Sequence, residues 1–199
     1  MARRRLRDFR LQKADIHNMD DRVLLINLYV TQAAVALLAV ALLWWQKASF
    51  RQLFAPLEGV GLTIVTYGIL YAALVLAVDG LLERFVPEEV ADDGGINEKI
   101  FKNRSLWHLA VICLVVAVCE ELLFRGAIQS AIGNYWTSVL FAVIHVRYLR
   151  HWLMTLLVFC ISYGLGWIYV QTGTLITPII AHFLIDVVLG YHLRGGNKR

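Results

Sequence analysis

The chain has 199 residues, of which 59% are hydrophobic and 17% charged, and its formal net charge is +4. So few charged side chains cannot cover the surface of a water-soluble domain of this size, which makes the bilayer the solvent. The basic residues cluster between apolar runs, with no basic stripe interleaved by aromatics, so no nucleic-acid partner is expected. At about 20 residues per span the length holds several crossings and one domain.

Residues 1–22 form a basic, polar N-terminal segment. The apolar run behind it starts too late for a signal peptide and has no small-residue cleavage site after it, so the first span is expected to be retained. Apolar runs at 23–45 and 60–82 read as two leading transmembrane helices within 23–83. Residues 84–105, with Glu88, Glu89, Asp92, Asp93, Gly94 and Gly95, read as a flexible cytoplasmic loop. Runs at 106–132, 135–148, 152–170 and 174–191 then make a four-helix core over 106–192, followed by a tail at 193–199.

The expected fold is therefore all-α, a polytopic helical bundle of about six transmembrane helices in the cell membrane. Aromatics such as Trp44, Trp45, Trp107, Trp152 and Tyr191 mark the span ends. Of the 19 Lys and Arg residues, 16 fall in alternate connections and the termini; Lys47 and Arg51 lie in the other connections and Arg125 within a span. By the positive-inside rule both termini face the cytoplasm. Cys113, Cys119 and Cys160 sit in apolar runs without paired spacing and read as small buried hydrophobes. A thiol nucleophile at Cys119 is disfavoured, because a cysteine in apolar surroundings is inert. Gly164 and Gly166 read as positions of close helix packing.

Against this background the second half of the chain carries side chains that a bilayer disfavours by about 2.5 to 3.5 kcal/mol each at its centre. The third span holds Glu120, Glu121 and Arg125, the fourth reaches His145, and the sixth holds His182 and Asp186. If the chain turns at Gly133 and Asn134, helix rise puts Glu120 roughly 20 Å and His145 roughly 17 Å below that turn. His182 and Asp186 lie roughly 12 and 18 Å from the end of their own span. All three helices thus bring polar groups near mid-bilayer. Glu121 and Arg125 are four residues apart, as are His182 and Asp186, so each pair shares a helix face. Glu120 and Glu121 point about 100° apart, which favours Glu120 for chemistry and Glu121 for an ion pair with Arg125. Asp79, His108, His151 and His192 fall near span ends and read as interfacial.

In chain order, Glu120-Glu121-x-x-x-Arg125, Phe141-x-x-x-His145 and His182-x-x-x-Asp186 resemble the three motifs of the CPBP family, the CAAX-protease and bacteriocin-processing membrane proteins also called Abi. The resemblance covers about residues 106–190, and the first two spans carry no motif. It implies an intramembrane endopeptidase acting on a membrane-associated protein or peptide. Glu120 and His145 would hold and deprotonate a water, and His182 with Asp186 beside it would polarise the carbonyl or orient a donor. The eukaryotic prenyl-protein proteases of this family typically have asparagine where Asp186 stands, which leaves open whether the substrate is prenylated. The family is described both as metalloproteases and as glutamate-dependent enzymes, so the cofactor stays open between none and a divalent metal such as zinc. H-E-x-x-H is absent. The competing readings are a proton-coupled carrier, which paired half-repeats would support and which are not found, and an inactive immunity or scaffold protein.

Overall fold

The computed structural model describes residues 20–55, 61–85, 95–102, 104–146, 148–149 and 151–194. Among them the regular elements are helical throughout. The first long helix, α1 (Asp21–Trp45), starts where the Asp20 carboxylate accepts the Arg22 N–H at 2.9 Å. Next come a short α2 (Phe50–Phe54), the long α3 (Gly61–Leu82) and a short α4 (Ile96–Phe101). The helix α5 (Leu106–Glu121), capped by Ser105 accepting from His108 N–H at 3.2 Å, runs into a π-helical segment (Leu122–Ile128) and then α6 (Gln129–Ile144). The last two are α7 (Trp152–Thr172), closed by Gly173 at φ 67°, and α8 (Ile176–Arg194).

Among the described residues five apolar helical stretches are long enough to cross a membrane, and one of them, Leu106–Ile144, is 39 residues long. Drawn straight it would extend roughly 58 Å, nearly twice the hydrocarbon thickness. It is not straight. Gly133 adopts φ 78° and ψ 166°, a conformation essentially confined to glycine. The rings of Phe124 and Phe141 meet edge to face at 4.8 Å, whereas 17 residues of unbroken helix would separate them by about 25 Å. The chain therefore doubles back at Gly133.

The expected fourth span, 135–148, is shorter than its apolar run: after the reversal the helix covers 134–144, which rises only about 16 Å. His145 ends it: its Nδ1 donates to the Phe141 carbonyl at 2.6 Å, competing for the acceptor of the last helical turn, and the backbone leaves the helix at φ −79°, ψ 54°. The expected flexible loop at 84–105 is corrected in part as well. Its residues 96–101 are the helix α4, which buries Ile100 and lays the Phe101 ring against Gly190 of α8. The basic segment 1–19, residues 86–94 and the tail from 195 lie outside the described residues.

The outer faces of the long helices expose apolar side chains such as Leu37, Leu62 and Leu70, as lipid-facing helices do. Inside, Ala39, Leu123, Phe124 and Phe141 form one cluster and Leu43, Leu53, Ala127 and Leu175 another. The carbonyls of α7 are reached by side chains of α3 and α6. Tyr71 O–H donates to Ile161 O at 2.9 Å, Asn134 Nδ2 to Tyr163 O at 2.9 Å and Gln129 Nε2 to Gly166 O at 3.0 Å. Such access needs missing side chains: a Cβ at Gly164 would collide with Tyr71, and one at Gly166 with Asn134 and Gln129.

Candidate active site

The site is assembled where α5 passes into its π-helical segment. There the Gln129 N–H bonds to Phe124 O, five residues back, and the wider turn follows directly on the two glutamates. A carbonyl in this loosened turn needs extra partners within a membrane. Ala127 O receives them from Gln46 Nε2 at 3.0 Å and Ser130 Oγ at 2.9 Å.

Glu120 and Glu121 leave the helix in different directions. Glu121 is fully buried, and its Oε1 accepts from Arg125 Nη1 at 3.1 Å and from His182 Nδ1 at 2.8 Å. Arg125, equally buried, donates through Nη2 to Ser162 O at 2.8 Å and Ser162 Oγ at 3.0 Å. Its guanidinium carbon sits 5.2 Å from the centroid of the Phe141 ring. One carboxylate oxygen thus ties α5 to α8, and its arginine ties both to α7. A charge this buried is tolerable only when paired and hydrogen-bonded.

Glu120 faces the other way. It is half-buried and accepts a hydrogen bond from Gln32 Nε2 of α1 at 3.3 Å, with no cationic partner among the described residues. Part of the Glu120 side chain reaches the protein surface, whereas Glu121 is sealed from it.

The imidazole of His182 is buried between two acids. With Glu121 accepting at Nδ1, that nitrogen carries a proton, and Nε2 lies 3.5 Å from Asp186 Oδ2 one turn further along α8. The Asp186 side chain is 29% exposed. His145 stands at the end of the half-length α6, stacked on Phe141 at 4.5 Å and on Tyr148 at 6.4 Å between centroids. Since a carbonyl only accepts, its bond to Phe141 O puts the proton on Nδ1 and makes Nε2 the acceptor nitrogen of the neutral ring.

Hydrogen bonds therefore join Glu121, Arg125 and His182 into one network, and Asp186 Oδ2 lies beside it, 3.5 Å from His182 Nε2. His145 reaches the network through the Phe141 ring, and Glu120 is next to it in sequence but held by α1. Two members carry no sequence motif. Ser162 is one of several small polar residues in the fifth apolar run, and nothing in the sequence distinguishes it. Gln32 is one of several uncharged polar residues in the first apolar run, with Asn27 and Thr31.

The donor set does not suit a metal ion. Among the described residues no three His, Cys, Asp or Glu side chains are grouped to hold one, and the oxygen nearest His182 already accepts from a guanidinium.

A family profile described as "Type II CAAX prenyl endopeptidase Rce1-like" matches residues 102–188, a range that contains Glu120, Glu121, Arg125, His145, His182 and Asp186. The chain is 43% identical over 131 residues to the uncharacterized protein YpbD of Bacillus subtilis, covering 66% of this chain and 69% of that one. It is 26% identical over 135 residues to the UPF0177 protein YxdF of Lactococcus lactis, covering 65% and 72%. No solved structure matches.

Proposed function

Because the chain belongs to the CPBP family of multi-pass membrane proteins, we propose that it is an intramembrane endopeptidase that hydrolyses a peptide bond of a membrane-associated protein or peptide. The observation that carries this reading is the division of labour between adjacent glutamates. Glu121 is consumed by Arg125 and His182, while Glu120 is half-buried and has no cationic partner among the described residues.

Amide hydrolysis needs a base for water, a donor for the developing oxyanion and a proton for the leaving amine. Glu120 takes a proton from the attacking water, and the acceptor Nε2 of His145 orients that water. His182 is held by Glu121 through Nδ1, which fixes the ring, and a proton on Nε2 is shared between Asp186 Oδ2, 3.5 Å away, and the substrate carbonyl. The proton gathered by Glu120 passes to the amine as the C–N bond breaks, giving a new carboxyl and a new amino terminus. Arg125 and Ser162 hold Glu121 and do not touch the reacting atoms.

The enclosure of the network by α1, α7 and α8 suits a substrate presented from the lipid. A proton-coupled carrier is less well supported, because Glu121 and Arg125 are locked into hydrogen bonds a relay would have to break. The test compares membrane peptides of cells making the unmodified chain with those making Glu120→Ala. A peptide that accumulates only with Glu120→Ala is the expected result. Cleavage that persists in that variant removes Glu120 from the reaction and overturns the reading.

A further inference from the structure

The region shared with the family profile begins at residue 102, yet Glu120 is held from outside it. Gln32 lies 11 residues into α1, roughly 17 Å along a helix that spans the bilayer, and only 7% of its surface is exposed. Its Nε2 makes the one hydrogen bond that Glu120 receives among the described residues.

The surroundings of Gln32 call for an apolar side chain. The buried residues of α1 are Gln32, Ala39 and Leu43, at spacings of seven and four, which is one stripe along the helix. Ala39 packs on Leu123 and Phe124, and Leu43 on Ala127. The stripe therefore docks α1 along α5 and the π-helical segment. A leucine or methionine at its third position would pack as well, and an amide in hydrocarbon finds full satisfaction only from polar partners. Gln32 has one such partner. Its Oε1 is buried with no hydrogen-bond partner among the described residues, a lone acceptor of the kind native proteins rarely leave unmet.

We infer that Gln32 is a positioning residue for the reaction. Its amide N–H holds Glu120 Oε1, so that Oε2 is presented to water, and its buried Oε1 accepts a hydrogen bond from the water or from an N–H of the bound peptide. A neutral amide orients a carboxylate without neutralising it, which preserves a base in a way the Arg125 guanidinium could not. The unanchored side chain of Glu120 would otherwise sample several rotamers. On this account α1, which carries no family motif, completes the active site. The inference rests on the peptidase reading above.

The test uses the full chain in phosphatidylcholine vesicles, with the membrane peptide that the unmodified chain cleaves and Glu120→Ala spares. Gln32→Met keeps the shape and removes the donor. Turnover is expected to fall about tenfold to a hundredfold, the weight of one hydrogen bond to a charged group. KM should stay within about twofold, and the thermal unfolding midpoint should not fall, since methionine suits an apolar seam. A purely structural amide could not lower turnover while leaving unfolding untouched. Full turnover in Gln32→Met overturns the inference alone if Glu120→Ala is inactive. A loss of turnover that follows a lowered unfolding midpoint also overturns it, as does failure of both Gln32→Met and Gln32→Leu to fold. No cleavage by the unmodified chain, or cleavage by Glu120→Ala, overturns the peptidase reading itself and this inference with it.

Discussion

His182 Nδ1 lies 2.8 Å from Glu121 Oε1, a bond between residues 61 apart in sequence that joins the motif of α5 to the motif of α8 inside the membrane. The same oxygen serves Arg125 at 3.1 Å. Neither group has water to fall back on, so the three side chains stand or fall together.

The first prediction concerns stability. Arg125→Ala leaves Glu121 buried with one partner fewer, and removing one member of a buried pair costs about 3 to 5 kcal/mol. Thermal unfolding in detergent should show a large drop. Arg125→Lys should recover little, because a single ammonium cannot reach Glu121 and both Ser162 oxygens in the geometry of the guanidinium fork. An Arg125→Ala chain as stable as the unmodified one would show that the pair is not what ties α5, α7 and α8.

Glu120→Gln should behave in the opposite way. The side chain is half-buried and bonded only to Gln32 among the described residues, so folding should survive the change. Cleavage should fall by about a hundredfold to ten-thousandfold, the range for removing a general base. Unfolding curves and cleavage rates on the same preparation check both halves, and a stable, active Glu120→Gln chain would contradict the assignment.

The division between these two glutamates was legible in the sequence as far as their divergence on the helix and the spacing of Glu121 from Arg125. The site was less legible where it depends on the path of the chain. Helix periodicity treats 106–144 by its apolar runs, and the turn at Gly133 was marked by glycine followed by asparagine. The early end of α6 was not marked, because it depends on the His145 ring bonding to the Phe141 carbonyl, a contact no spacing announces. Gln32 and Ser162 are inconspicuous in the sequence for a related reason: uncharged polar residues are common in spans, and only packing shows which of them meets a carboxylate or a guanidinium.

The two histidines should separate in their effects. His145→Gln removes an acceptor nitrogen from a half-exposed position and should depress cleavage by about a hundredfold or more with little change in unfolding. His182→Gln deprives buried Glu121 of a donor and should lower both cleavage and the unfolding midpoint. Equal loss of stability in the two variants would argue against the network as drawn.

Asp186→Asn tests the departure at that position. An amide oxygen still accepts from His182 Nε2, and the amide nitrogen adds a donor. Cleavage should stay within about tenfold of the unmodified rate, whereas Asp186→Leu, which keeps no acceptor, should lose more. Identical rates for the two variants would remove Asp186 from any role beside His182.

Gly166→Ala should disturb the bundle without touching the chemistry. The added methyl collides with Asn134 and Gln129 and displaces their bonds to α7 carbonyls, each worth about 1 kcal/mol. A lowered unfolding midpoint with residual cleavage by the folded fraction is the expected outcome; an unchanged midpoint would mean that α6 and α7 approach less closely.

The half-length helix at 134–144 has a consequence for how the protein is made. A segment of about 16 Å is too short to be integrated as a span in its own right. It must enter the lipid together with α5 and the π-helical segment as one hairpin folded at Gly133. Insertion machinery that releases nascent helices one at a time would therefore have to retain α5 until α6 has been synthesised. His145 at the end of that hairpin would then reach its depth only as the pair moves sideways into the bilayer.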